Sequence, residues 1–262
     1  MLKITLFVAL PEEHRSFRKT TGPWRHVCRH PFNKFSLSVA GKKLDLIETG
    51  MGRERVNHAL SWAIKKNFPD IICSFGFAGS ISPELQVGQV IYGNRFILSE
   101  ESGEDKSENV ICWHCADSWL NFCETQGVRS ARIVTVKRPE SKPLLMLRFS
   151  DTSSIVDMET YFIARFAQER AIPFVSLRAI SDGLEDVLNF DLDEITTEGR
   201  VGLAKVLLLL ARKPQLLPEF FSLWRKSTKA ALELSRVMSA LMNLSPPQVL
   251  EFISRCQLTK RC

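Results

Sequence analysis

Short apolar runs that break off at glycines or acidic turns constrain this chain more than any other feature. Residues 3–9 (KITLFVA) stop at Pro11-Glu12-Glu13. Residues 70–75 run into Gly76-Phe77-Ala78-Gly79, and residues 174–180 run into Ser181-Asp182-Gly183. Runs of this length, rich in β-branched and aromatic residues, read as buried strands. Further strands are expected at 35–39 and 43–48 around Gly41, and at 89–98, 132–136 and 154–156. Helical patterns fall between them at 54–67, 116–125 and 158–170, while the polar, acidic residues 100–109 read as a surface loop. Gly50-Met51-Gly52 reads as a turn. Strands alternating with helices predict one α/β domain with a central twisted mixed sheet flanked by helices. We place that domain at 1–211 and a helical C-terminal extension at 212–262.

The chain has 262 residues, 45% of them hydrophobic, enough for one sizeable core. The longest uninterrupted apolar run, Val206 to Ala211, is six residues, far short of the ~20 that a membrane span needs. The N-terminal apolar stretch meets Pro11, Glu12 and Glu13 rather than a small-residue cleavage site, so it reads as a first strand and not as a signal peptide. Seven scattered cysteines, an odd number in a long chain, predict reduced thiols in a cytoplasmic protein.

Net charge is +6, but it is unevenly placed. Residues 200–262 hold 11 basic and 3 acidic side chains (+8), leaving 24 basic against 26 acidic (−2) in the other 199. The basic character therefore belongs to the C-terminal quarter and is no signature of nucleic-acid binding by the whole chain. There, residues 216–242 read as one amphipathic helix. Leu217, Phe220, Phe221, Trp224, Ala231, Leu234, Met238, Leu241 and Met242 share one side; Arg225, Lys226, Lys229, Glu233 and Arg236 share the other. Ser245-Pro246-Pro247 can cap a last short helix.

Acids placed after strands are the first candidates for chemistry, because ligands of open α/β sheets sit beyond the carboxyl ends of strands. Glu12 and Glu13 follow the first run and Asp182 follows residues 174–180. Glu159 lies one turn into the predicted helix after Val156-Asp157-Met158. Each taken singly is explained as well by a solvated loop acid or a helix-dipole partner. Other motifs carry less. Gly50-x-Gly52-x-x-Arg55 lacks the third glycine of a dinucleotide fingerprint. Cys112-Trp113-His114-Cys115 has no second pair at zinc spacing, so no metal is expected. The five histidines form no usable motif, and surface or loop positions are expected for them.

Four segments together resemble the nucleoside phosphorylase superfamily, and within it the methylthioadenosine/S-adenosylhomocysteine nucleosidases. They are Ala9-Leu10-Pro11-Glu12-Glu13, Thr49-Gly50-Met51-Gly52, Phe75-Gly76-Phe77-Ala78-Gly79 with Val87-Gly88-Gln89-Val90, and Val156-Asp157-Met158-Glu159 with Arg178-Ala179-Ile180-Ser181-Asp182. Their order matches over roughly residues 1–190, and the last pair is the most specific. The resemblance implies the superfamily's α/β fold, a homo-oligomer of at least two subunits, a purine (adenine) nucleoside as substrate, and no metal or organic cofactor. It implies Asp182 as the acid at the purine N7, oriented with Ser181, and Glu159 as acceptor of the ribose hydroxyls with Met158 beside the sugar. Glu13 matches the base that activates water, Arg178 an arginine near the water or anion pocket, and Gly79 and Phe77 the substrate-binding glycine-rich segment.

A carboxylate in the loop after the first strand repels phosphate and suits a neutral water, so hydrolysis is expected over phosphorolysis. Arg15, Arg53 and Arg55 keep the phosphorylase alternative open. Phe77 stands where the nucleosidases carry a small hydroxyl residue, which keeps open an inactive nucleoside-binding module. Val136-Lys137-Arg138-Pro139-Glu140 replaces their base-stacking segment. This element and the tail from Arg212 to Pro218 resemble the hopanoid-associated nucleoside phosphorylases, which implies release of adenine from an adenosyl-hopane lipid. A basic helix with Phe220, Phe221 and Trp224 on its apolar side could then touch the inner face of a membrane; packing on the domain or at a subunit interface is the alternative.

Overall fold

The computed structural model describes residues 1–99, 110–149, 151–186, 194, 196–197, 200–201, 203–254 and 257–259. The predicted loop at 100–109 lies outside them.

The fold grows from β5 (Ile71–Ser80), which pairs with three other strands. It pairs in parallel with β1 (Leu2–Val8) and with β10 (Phe174–Asp182). At Gly79 and Ser80 it also pairs antiparallel with β9 (Ser154–Asp157). β10 pairs antiparallel with β6 (Val90–Leu98), β6 in parallel with β8 (Arg129–Thr135), and β8 in parallel with β9. β5, β10, β6, β8 and β9 thus close a ring. From β1 the sheet continues outward through β4 (Lys42–Glu48), β3 (Asn33–Val39) and β2 (Arg25–Cys28); from β6 it continues through β7 (Val110–His114) to β13 (Gln257–Thr259). Two short strands, β11 (Thr196–Thr197) and β12 (Arg200–Val201), form a separate pair. The mixed sheet flanked by helices is the architecture the alternating pattern predicts.

Helices α1 (Pro11–Thr21), α2 (Arg53–Lys66), α3 (Asp117–Gln126), α4 (Lys142–Arg148) and α5 (Thr160–Glu169) follow strands. α6 (Leu203–Arg212), α7 (Leu217–Asn243) and α8 (Pro246–Ser254) come last. β1, β5 and β10 are buried along nearly their whole length, as strands covered on both faces must be.

Several local expectations need correction. Pro11-Glu12-Glu13 is no turn but the first turn of α1. Proline at the first helical position costs no hydrogen bond there, and both acids favour the helix dipole. Residues 76–79 continue β5 instead of ending it; Gly76 and Gly79 there lie beneath the Glu13 and Asp182 side chains, where a Cβ would collide. Glu159 is the N-cap of α5, not a residue inside it. His14 is not at the surface: it is 1% exposed, with Nε2 2.8 Å from Glu48 Oε1. Cys112 is disulfide-bonded, against the expectation of reduced thiols, whereas Cys28, Cys73, Cys115 and Cys123 carry reduced thiols. Cys112, Trp113 and His114 lie on β7, where Trp113 packs against Trp119.

The tail helix divides along its length. From Ala230 to Met242 its apolar side is buried, with Leu234, Val237, Met238 and Leu241 fully inside the main core. Thr20 of α1 meets Ser239 of α7 at 3.1 Å. The first half instead leaves Leu217, Phe221 and Trp224 exposed, Trp224 by 64%. The polar side is pinned to the domain as well, with Arg236 Nη2 donating to the Gln126 carbonyl at 2.9 Å. Among the described residues no helix is long and apolar enough to cross a membrane.

Candidate active site

Parallel pairing brings the ends of β1, β4, β5 and β10 together. Val8 sits opposite Glu48, Phe7 opposite Ser74, and Asp182 opposite Gly79. Glu13 lies just past β1 and Glu159 just past β9. The carboxylates singled out in the sequence, Glu13, Glu159 and Asp182, therefore belong to one end of the sheet.

Glu13 is 4% exposed. Its Oε2 accepts the Ala9 and Leu10 N–H groups, each at 2.8 Å, and its Oε1 accepts the Phe77 N–H at 2.8 Å. The reach back to Leu10 is half of a capping box, which ties the carboxylate to the start of α1. A Cβ on Gly76 would stand 2.5 Å from Glu13 Oε1, so a glycine is needed there. Burial pushes the Glu13 carboxyl up from its ordinary value, and it outweighs the three N–H groups and the nearby Arg178 that pull it down. Glu12, by contrast, points to solvent and meets Arg15 at 3.3 Å.

Arg178 is 3% exposed. Its Nε donates to Asp157 Oδ2 at 3.1 Å and its Nη2 to Ser74 Oγ at 2.8 Å. Asp157 also accepts Thr135 Oγ1–H at 2.6 Å and the Thr160 N–H at 3.0 Å. This buried network orients the guanidinium without using the Glu13 carboxylate. Glu13, Ser74, Glu159, Arg178, Thr49 and Ile163 are among the residues lining a cavity of about 10 Å³, close to the room one water needs. A larger cavity, about 300 Å³, is lined by Ser82, Pro83, Leu85 and residues 183–186; none of the three carboxylates lines it.

Glu159 Oε1 accepts the Gly52 N–H at 2.8 Å. Gly52 has φ of +90°, a conformation that L side chains rarely adopt. The glycine thus lets the start of α2 aim an amide at Glu159. Burial, with Asp157 and Glu13 nearby, pushes the Glu159 carboxyl up to about 8. Asp182 lies at the opposite edge, after a bulge between Ile180 and Asp182. Ser181 Oγ–H donates to its Oδ1 at 2.6 Å, and Lys142 Nζ pairs with its Oδ2.

The structure thus places Glu13, Glu159 and Arg178 around one small cavity, with Ser181, Asp182 and Gly79 at the adjacent strand end. Phe77 enters through its backbone N–H, and its partly buried ring packs on the main core. Met158 packs on a second cluster with Ile97, Val134 and Val136. Arg53 and Arg55 are turned to aromatic rings, Phe162 and Phe32. Sequence reasoning missed Lys142, Ser74 and Thr135. Ser141-Lys142-Pro143 carries the cap and proline signals of a helix start, but no sequence pattern gives the reach of Lys142 to Asp182.

A family model described as the phosphorylase superfamily matches residues 3–211, and the chain belongs to that superfamily. Among curated relatives, a 5′-methylthioadenosine/S-adenosylhomocysteine nucleosidase of Listeria innocua is 28% identical over 183 residues, covering 58% of this chain and 75% of the relative. One of Shewanella piezotolerans is 24% identical over 200 residues, covering 68% and 84%. Among solved structures, a Helicobacter pylori nucleosidase mutant with 5′-methylthioadenosine in its active site superposes with a TM-score of 0.68 at 14% identity. That match covers 93% of this chain and 99% of the other. A futalosine hydrolase mutant of the same organism gives 0.67 at 15% identity, covering 93% and 100%. At these identities the structural likeness is one of fold.

Proposed function

We propose that this protein hydrolyses the N-glycosidic bond of an adenine nucleoside. The observation that carries the reading is the Glu13 carboxylate, held by three backbone N–H groups beside a cavity the size of one water. A buried carboxylate whose pKa lies above the ordinary glutamate value is the stronger base and is suited to take a proton from water as its oxygen attacks the anomeric carbon. Phosphorolysis would need an anion seat where Glu13 now puts negative charge, and Arg53 and Arg55 do not line that cavity. Glu159 holds the ribose hydroxyls, with Met158 flanking the sugar. Asp182, oriented by Ser181 over Gly79, serves the departing base. The nucleosidase relatives support the same chemistry. Adenine release from adenosine and methylthioadenosine, measured with and without phosphate, tests it. Release without phosphate is expected, and strict phosphate dependence with ribose-1-phosphate as product would overturn it.

We further propose a subunit pair as the working form and an adenosyl-hopanoid lipid as the natural substrate. The exposed Leu217, Phe221 and Trp224 of α7, with Arg225 on the same half of the helix, support contact with the inner face of a membrane. Co-sedimentation with anionic vesicles and release of adenine from an adenosyl-hopanoid extract are the expected results. Preference for methylthioadenosine, with no vesicle binding, would refute this finer assignment.

A further inference from the structure

Away from the carboxylates, the strand register sets two arginines side by side. Arg95 of β6 pairs with Arg132 of β8, on strands about 4.8 Å apart. Both project to the face that Leu145 and Phe149 cover, since Ile97 and Val134, two positions further on, join those residues in one cluster. Phe96 and Ile133 between them point the other way, into the main core. Arg132 is 5% exposed, and its guanidinium carbon lies 5.6 Å from the centre of the Phe149 ring. Its Nη2 donates to Asp151 Oδ1 at 2.5 Å, but its Nε is buried with no acceptor. Arg95 is half-buried, and its Nε is likewise buried with no acceptor. Among the described residues no carboxylate pairs with it. Asp151 is mostly in solvent, its side chain 68% exposed.

Like charges on neighbouring strands repel, and a buried N–H without an acceptor is costly. Here two such donors share one strand spacing, and one exposed carboxylate serves two cations. A positive charge is left uncompensated, an arrangement that a bound anion explains. We propose that Arg95 and Arg132 form a binding site for a phosphate group, distinct from the Glu13 cavity, which neither residue lines. The site takes no part in bond cleavage, so it stands independently of the hydrolase reading. Guanidinium forks match the oxygens of carboxylates and phosphates edge to edge. A carboxylate has two oxygens and fills one fork. A phosphate group has enough to accept from Arg95 and Arg132 together and so bridges the two strands. Phe149 walls the site beneath Arg132. Arg148 also approaches that ring, but it is paired with Glu140 and adds no free charge. Asp151 is the built-in competitor: it holds Arg132 from the solvent side and gives way to the ligand.

The test uses the full chain with its Arg95→Met and Asp151→Asn variants, and titrates inorganic phosphate and acetate calorimetrically at constant ionic strength. Unaltered protein is expected to bind phosphate saturably and acetate roughly tenfold more weakly or worse, one fork against two. Arg95→Met is expected to weaken phosphate binding by roughly tenfold to a hundredfold, the worth of hydrogen bonds to a charged group. Asp151→Asn, which removes the competitor at an exposed position, is expected to tighten it by about twofold to fivefold. Thermal melts separate a lost site from a lost fold. Without phosphate, Arg95→Met should melt no lower than the parent, because the unpaired charge is gone; with phosphate, the parent should gain more than Arg95→Met. Vesicles of phosphatidylcholine with and without phosphatidic acid identify the source. Binding that needs phosphatidic acid and is lost in Arg95→Met places the phosphate on a lipid, and phosphate affinity without it makes the ligand a soluble one. No saturable phosphate binding, equal affinity for acetate, or an unchanged affinity in Arg95→Met would overturn the site. If the protein instead proves to be a phosphorylase, phosphate turnover survives in Arg95→Met, so the two readings fail separately.

Discussion

At the scale of single residues, burial sets the chemistry more than sequence neighbours do. Glu12 and Glu13 are adjacent and chemically alike, but one points to solvent while the other is locked by three amides. Glu13→Gln keeps the shape but cannot take a proton, and its NH2 faces at least one backbone N–H that the carboxylate now accepts. We expect it to lower kcat by about 10²–10⁴-fold and to cost about 1–3 kcal/mol of stability, measured by adenine release and calorimetry. Because the Glu13 carboxyl is raised, activity should climb with pH on the acid side at a higher pH than an ordinary glutamate would give. Asp182→Asn should abolish base release and leave the fold intact; full turnover in that variant would remove Asp182 from its role.

Glu159 links the site to stability. Its folded value of about 8 lies above the ordinary glutamate value of 4.5. The folded state therefore holds that proton more tightly than the unfolded state. Stability is full below about pH 4.5 on this account and declines as pH rises toward 8. Glu159→Gln should flatten that decline, gaining about 1–3 kcal/mol over the parent at pH 8.5 relative to pH 5. Denaturant melts at the two pH values would show it; parallel curves for parent and variant would contradict the buried, protonated state. The carboxylates themselves were legible in the sequence as acids after strands. That His14 is buried and that Lys142 reaches Asp182 was not, since both depend on which strands become neighbours.

At the scale of elements, the long helix α7 carries two different surfaces on one apolar stripe. Periodicity reveals the stripe but cannot tell where along it the domain ends. That boundary follows from α1 and β10, which cover residues 230–242 and stop short of 217–224. Leu241→Ala should cost about 2–5 kcal/mol, as for other buried leucines. Trp224→Ala should change stability by less than about 0.5 kcal/mol. A large loss from Trp224→Ala would mean that this half of the helix is covered in solution. Strands β1, β5, β10 and helix α2 were readable from local pattern. The start of α1 was misread as a turn because Pro-Glu-Glu suits both, and the extension of β5 through 76–79 was missed because glycines usually mark a strand's end.

At the scale of the whole molecule, the family match ends at residue 211, yet the core does not. Val237, Met238, Leu241, Met242, Val249 and Ile253 belong to the same cluster as the central strands, and Lys42 Nζ donates to the Leu244 carbonyl at 2.6 Å. Deleting 212–262 should therefore give an insoluble or unfolded chain, seen as loss of a cooperative melt. A soluble, cooperatively folding 1–211 fragment would show the tail to be an accessory module. The mixed sheet itself was foreseeable from alternating strands and helices. Its closure through β5, β10, β6, β8 and β9 was not, because that depends on long-range pairing.

The bulge in β10 has a further consequence. Arg178 and Asp182 share that strand, four positions apart, with the extra residue between Ile180 and Asp182 setting the phase of the second against the first. A one-residue slip turns every side chain to the opposite face. Under the proposed hydrolysis, the strand would act as a gauge whose two marks, the water end and the base end, cannot be moved independently. Length changes between 178 and 182 would silence the site outright. Sequence drift in substrate choice has to be written into the connections outside that span, such as the stretch from 137 to 153, which supplies Lys142.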